Sequence, residues 1–220
     1  MHELLTAYRL NLGRWRAANV AAISVEQMKT RNRVGALKTK EHREWLTQSV
    51  RTHLVPALAK QGFEVTPLIH RTPVDREFDL SFPGWGRLIR VREPGVDLVE
   101  IQLATHRRAA FRINAGVAPR GGLMTLTGYR PAEEVAVHWL NEHFETHARP
   151  WLRPGLRAMG LEPLGAWFSL WHWPCRSPTQ SDYDKLALRV AGLLPEVDLA
   201  LREGKLGPHM RRIVIPNPWK

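Results

Sequence analysis

The chain has 220 residues and a formal net charge of +11, from 32 Lys and Arg against 21 Asp and Glu; 44% of residues are hydrophobic and 24% charged. That balance suits one folded domain with a core of its own and excludes a low-hydrophobicity disordered chain. The single cysteine, Cys175, excludes both an intrachain disulfide and a thiolate metal cage.

No apolar run approaches the length needed to cross a bilayer, so no membrane role is expected. The opening residues, MHELLTAYRL, lack the apolar stretch and small-residue cleavage site of a secretory leader. A reducing cytoplasm is the expected compartment. The positive balance favours polyanions and acidic protein surfaces. Arginine outnumbers lysine, and only its planar fork matches phosphate or carboxylate in two places at once. A GC-rich genome produces the same excess.

In chain order, Leu4, Leu5, Tyr8, Leu12 and Trp15 recur at helical spacing, and the basic run RNRVGALKTKEHR follows. Residues 1–40 therefore read as a helical arm with a basic linker, and 41–220 as one α+β domain. In 41–61, Leu46, Val50, Leu54 and Leu58 step by four, which predicts a helix ended by Gly62 and kinked by Pro56 near Thr52 and His53. FEVTPLIHR and REFDLSF read as strands, PGW as a turn and GRLIRVR as a short strand.

In residues 97–117, DLVEIQLATHRRAAFRINAGV, two alternating runs flank a short basic link, which predicts an antiparallel hairpin. Val99, Ile101 and Leu103 share a face with Phe111, Ile113, Ala115 and Val117. Glu100, Gln102, Arg112 and Asn114 fall on the other face, expected to meet solvent, with Glu100 and Arg112 paired across the strands. GGLMTLTGY reads as a strand, 132–147 as a helix, and the Trp-rich PLGAWFSLWHW as a buried strand. A capping box from Ser181 to Asp184 opens a further helix, Pro195 interrupts it, and Gly204 ends its continuation. The run within HMRRIVI is placed to close a sheet edge.

The helix ending in LVPALAKQGF, the strand with Gln102, the strand carrying Phe111, Asn114, Gly116 and Val117, and the C-terminal LPEVDLAL break together resemble the bacterial domain of unknown function 4304 family, over roughly residues 42–205. The resemblance implies a compact α+β domain with an antiparallel sheet packed against helices. It carries over no catalytic residue.

Three chemistries are open to these residues. A metal-dependent nuclease holds a divalent ion between an acid on one strand and an acid-x-Lys pair on the next. Asp79 and the pair Glu100–Gln102 offer a variant of that set, without the lysine. His143 and His147, four apart on the expected helix, are weak candidate metal ligands. Arg87, Arg90, Arg92, Arg107, Arg108, Arg112 and Asn114 offer a binding surface, with Trp85, Trp151 and Trp219 as candidate exposed stackers. No phosphate-cradling glycine loop and no nucleophile elbow occur, so no cofactor is expected. The residues favour a non-catalytic binding module with a basic surface, taking an acidic protein, as immunity proteins do, or a nucleic acid. The chain is read as a monomer or homodimer. The alternative is a metal-dependent nuclease using Asp79 and Glu100.

Overall fold

The computed structural model describes residues 39–79, 81–104, 109–125, 127–148, 167–170 and 177–215. The chain divides after Glu41 into two compact units, and the architecture below is that of His42–Lys220. The expected helix early in the arm, and Trp151 and Trp219, lie outside the described residues.

Helix α1 spans residues 39–59 and buries Leu46, Val50, Leu54 and Leu58 along one side. Pro56 has no N–H for the carbonyl four residues back, and its ring crowds that carbonyl. The helix answers by widening into a π turn at Val50–Leu54, where the Val55 N–H reaches back to the Val50 carbonyl. Gly62, at φ 85°, then reverses the chain.

The next stretch departs from the expected strands. Only Glu64–Val65 (β1) is extended, and Pro73–Phe78 forms a short helix, α2. Thr72 and Asp75 exchange capping bonds across its first turn, and Pro73 supplies a pre-set φ. These local bonds override the alternation in REFDLSF.

Strands β2 (Arg87–Val91), β3 (Gly95–Leu103), β4 (Ala110–Pro119), β7 (Glu142–Thr146), β8 (Phe168–Ser169) and β9 (Met210–Val214) complete an antiparallel sheet ordered β1-β2-β3-β4-β7-β9, with β8 also on β4. The architecture is α+β. The hairpin read in 97–117 is β3 and β4, paired Val99↔Ala115, Ile101↔Ile113 and Leu103↔Phe111. β9 closes an edge, as its apolar run implied. GGLMTLTGY contributes a separate hairpin, β5 (Leu123–Thr125) with β6 (Gly128–Arg130). Of the Trp-rich run, Phe168–Ser169 is extended, and buried Phe168 meets Phe111 with ring centres 5.3 Å apart.

One face of the sheet, through Leu88, Val99, Ile101, Phe111, Ile113 and Phe144, packs on α1, α3 (Gln180–Ala191) and α4 (Leu194–Glu203). The other face, through Ile89, Val96, Leu98 and Ala118, is covered by Ala132, Val135, Val137 and Leu140. Those covering residues overturn the helix expected over 132–147. The segment makes two 3-10 turns, Ala132–Glu134 and Val137–Trp139, and then β7. Edge pairing to β4 and β9 outweighs the helix propensity of its glutamates.

Helix α3 starts two residues earlier than expected, with Thr179 and Asp182 as its capping box. Asp184 instead accepts from Ser49 on α1, at 2.7 Å. Gly204, at φ 66°, ends α4.

The β5–β6 hairpin is fastened to α2 by buried charge. Arg130 Nη2 donates to Asp75 Oδ2 at 2.6 Å, and the two side chains are 1% and 0% exposed. Removing one partner of such a pair strands the other charge. Arg130→Ala is expected to cost about 3–5 kcal/mol in urea unfolding, whereas Arg120→Ala, whose exposed side chain pairs with exposed Glu93, is expected to fall within about 1 kcal/mol.

Candidate functional site: a buried polar row on the sheet

The register places Arg87↔Glu100↔Asn114↔Glu145↔Arg211 side by side across five strands, with Gln102↔Arg112 in the adjacent row. The four groups expected to meet solvent are instead largely enclosed. Glu100 and Gln102 are 2% exposed, Asn114 is 5% exposed, and Arg112 is half-buried. The alternation was real, but the 131–140 segment lies over this face. The expected Glu100–Arg112 pair is offset by one pleat: Glu100 stands opposite Asn114, and Arg112 opposite Gln102.

Most polar groups in the row have an internal task, whereas the buried Asn114 Oδ1 has no hydrogen-bond partner among the described residues. The Arg87 guanidinium donates to the carbonyls of Thr66 (2.9 Å), Glu133 (2.7 Å) and Val135 (2.8 Å). Glu100 Oε1 accepts the Val137 N–H at 2.8 Å. Arg112 donates to Gln102 Oε1 (2.6 Å) and Glu145 Oε1 (3.0 Å), and Arg211 donates to Glu145 Oε2 (2.5 Å). Burial alone would raise the Glu145 pKa; the Arg211 hydrogen bond and the Arg112 charge overcome it and hold the carboxyl below its ordinary range.

Glu100 behaves in the opposite way. Burial pushes its pKa up to about 7, against the lowering effects of the Val137 N–H and Arg87. His138, on the covering segment, is pushed down to about 4 by burial. Burial also lowers His143. A buried carboxyl poised near neutrality is a recognised mark of functional sites, and structural networks produce it too.

The candidate nuclease acids are brought near one another. Ser81 bridges to Gln102, which sets Asp79 beside β3, and the Asp79 charge acts on both Glu100 and His138. Yet Asp79 is already occupied by His70 Nε2 at 2.8 Å, the Ser81 N–H at 3.0 Å and Ser81 Oγ at 2.6 Å. No group of three His, Cys, Asp or Glu among the described residues is arranged to hold a metal ion. His143 is on strand β7, with His147 just beyond it, so about 13 Å of extended chain separates them. Two residues so far apart do not share one ion, and the helical metal pair is corrected.

The arginines proposed as a surface are similarly redirected. Arg87 is 1% exposed and Arg90 8%. Arg90 donates to Asp97 and Asp198, and Arg92 to Asp97 and the Leu201 carbonyl, so both tie the sheet to α4. Arg107 and Arg108 lie outside the described residues. Trp85 stacks on Phe82 at 4.3 Å. His138, Glu145, Arg211 and the Asp75–Arg130 pair were not singled out from the sequence. Glu145 and Arg211 show only as polar members of alternating strands once β7 and β9 are recognised.

Comparison with family models, with curated proteins and with solved structures gives no match.

The titration of Glu100 has a definite sign. Its folded pKa of about 7 exceeds the ordinary 4.5, so the folded state holds the extra proton between those values. Its contribution to stability therefore falls as pH rises from 4.5 through 7. Glu100→Gln keeps an acceptor for the Val137 N–H and removes the titration. The difference in unfolding free energy between Glu100→Gln and the parent is expected near zero at about pH 4. It should favour the variant by up to about 3 kcal/mol at about pH 8, read from urea curves at each pH.

Proposed function

We propose that this domain is a non-catalytic binding module that engages an acidic partner, a nucleic acid or an acidic protein, through the outer face of its helical layer. The observation that carries the reading is the placement of uncommitted charge. Arg51 on α1 and Lys185 and Arg189 on α3 are exposed and make no ion pair among the described residues. α1 and α3 lie side by side, joined by Ser49 and His53 to Asp184, with their buried residues turned to the sheet. The exposed cations thus stand on the side away from the sheet, with Leu188 (55% exposed) between Lys185 and Arg189.

Fluorescence anisotropy with a single-stranded oligonucleotide and with polyglutamate, each at two salt concentrations, tests this. Binding to at least one probe is expected to weaken steeply with salt. Reversing Arg51, Lys185 and Arg189 to Glu is expected to lower affinity by at least about tenfold and to flatten the salt slope by about one for each phosphate no longer neutralised. No binding at low salt, or binding indifferent to the reversal, defeats the reading.

A second reading is kept because Asp79 stands beside Glu100 and Gln102. In a metal-dependent nuclease these residues would hold the ion and orient water. Incubation with plasmid DNA and Mg²⁺ or Mn²⁺ decides between the two. Cleavage abolished by Glu100→Ala would replace the binding-module reading.

A further inference from the structure

Among the described residues strand β9 ends the sheet, and two hydrogen bonds show which of its backbone groups face β7. The Ile215 N–H donates to the Asn141 carbonyl at 2.8 Å, and the His147 N–H donates to the His209 carbonyl at 2.7 Å. With His143↔Ile213 and Glu145↔Arg211 in register, the odd-numbered residues of β9 turn their N–H and C=O groups inward. Residues 210, 212 and 214 therefore turn theirs to the open edge. The Met210 N–H is taken by the Gly207 carbonyl at 3.1 Å, so the outward donors that remain are those of Arg212 and Val214.

Among the described residues, the edge lacks proline, glycine bulges and outward charge, which are usual protections against pairing. No Pro or Gly occurs in Met210–Ile215. The charges of Arg211 and Arg212 are drawn back to Glu145 and Glu142. Val214 and Ile215 are left 62% and 42% exposed.

We propose that a second copy of this chain pairs with this edge, β9 against β9, antiparallel about a two-fold axis, so that one sheet runs through both protomers. Symmetry and donors select the register. Outward groups must meet outward groups, so the axis passes through a residue rather than between two. An axis through Arg212 sets two guanidiniums opposite each other and calls on the Met210 donor already in use. An axis through Val214 sets Arg212 against proline 216 of the partner, which has no N–H. An axis through Ile213 satisfies every condition. Arg212 then exchanges backbone bonds with the partner's Val214, and the same pair repeats by symmetry. Ile213 faces the partner's Ile213, and Arg211 lies alongside the partner's Ile215. No like charges stand directly opposite one another, and the aliphatic stems of the arginines cover the exposed Val and Ile.

Sedimentation equilibrium of the full chain is expected to give twice the 25.2 kDa chain mass at high concentration. On a Cys175→Ser background, Ile213→Cys is expected to form a disulfide dimer under mild oxidation, because facing non-hydrogen-bonded residues bring Cα atoms to about 4.5 Å, within the range a disulfide spans. Arg212→Cys, one residue off the axis, is expected to stay monomeric on reducing-agent-free gels. Val214→Pro removes an outward donor and leaves the β7 ladder intact. Val214→Lys keeps the backbone and sets a like charge beside the partner's Arg212. Both are expected to retain the parent's circular dichroism and to weaken the dimer by at least about tenfold. A monomer at every concentration overturns the proposal. So does a dimer that survives both Val214 variants, or one that Ile213→Cys fails to cross-link.

Discussion

Three backbone carbonyls, those of Thr66, Glu133 and Val135, converge on the buried guanidinium of Arg87. Much else in the structure depends on that convergence. A cation under a protein surface is tolerable only when its donors are met, and carbonyls from irregular segments need donors of their own. Arg87 meets the carbonyls through its two terminal nitrogens, with its buried Nε left unpartnered, and it holds the 131–140 segment over the sheet. Glu100 adds a second fastening through the Val137 N–H. Together they turn a half-polar face, which a simple hairpin would leave wet, into an interior layer.

That layer accounts for the titration behaviour of the site. Glu100 and His138 lie on opposite sides of the same interface, and burial drives each toward its neutral form. Glu145 escapes this because Arg112 and Arg211 surround it with matching charge. Neighbouring carboxylates in one row thus hold opposite preferences, decided by whether a guanidinium reaches them. The perturbed carboxyl is a consequence of covering the sheet, and it does not by itself imply catalysis.

Several described arginines work inside the fold. Arg87, Arg90, Arg92 and Arg130 join strands to helices and turns, with carboxylates or carbonyls as partners, and Arg112 joins β4 to β3 and β7. Arg51 and Arg189, with Lys185, remain on the outer face of the helices. The two ends of the sheet also differ. β1 is only two residues long, whereas β9 is five residues long, with outward donors at Arg212 and Val214.

Period and punctuation made much of the architecture legible. The four-residue steps of α1, the disturbance at Pro56, the glycine caps at Gly62 and Gly204 and the alternation in β3 and β4 are local signals, and each appears where it was read. The helix expected over 132–147 failed because its pattern is compatible with both states, and pairing with β4 and β9 chose the strand. His143 and His147 lost their shared face for that reason. Residue types in Glu100-x-Gln102 and Arg112-x-Asn114 showed that one face of the hairpin is polar. Only the tertiary structure decided that this face is buried, because a strand's alternation reports that its two sides differ and says nothing about what lies on top of them.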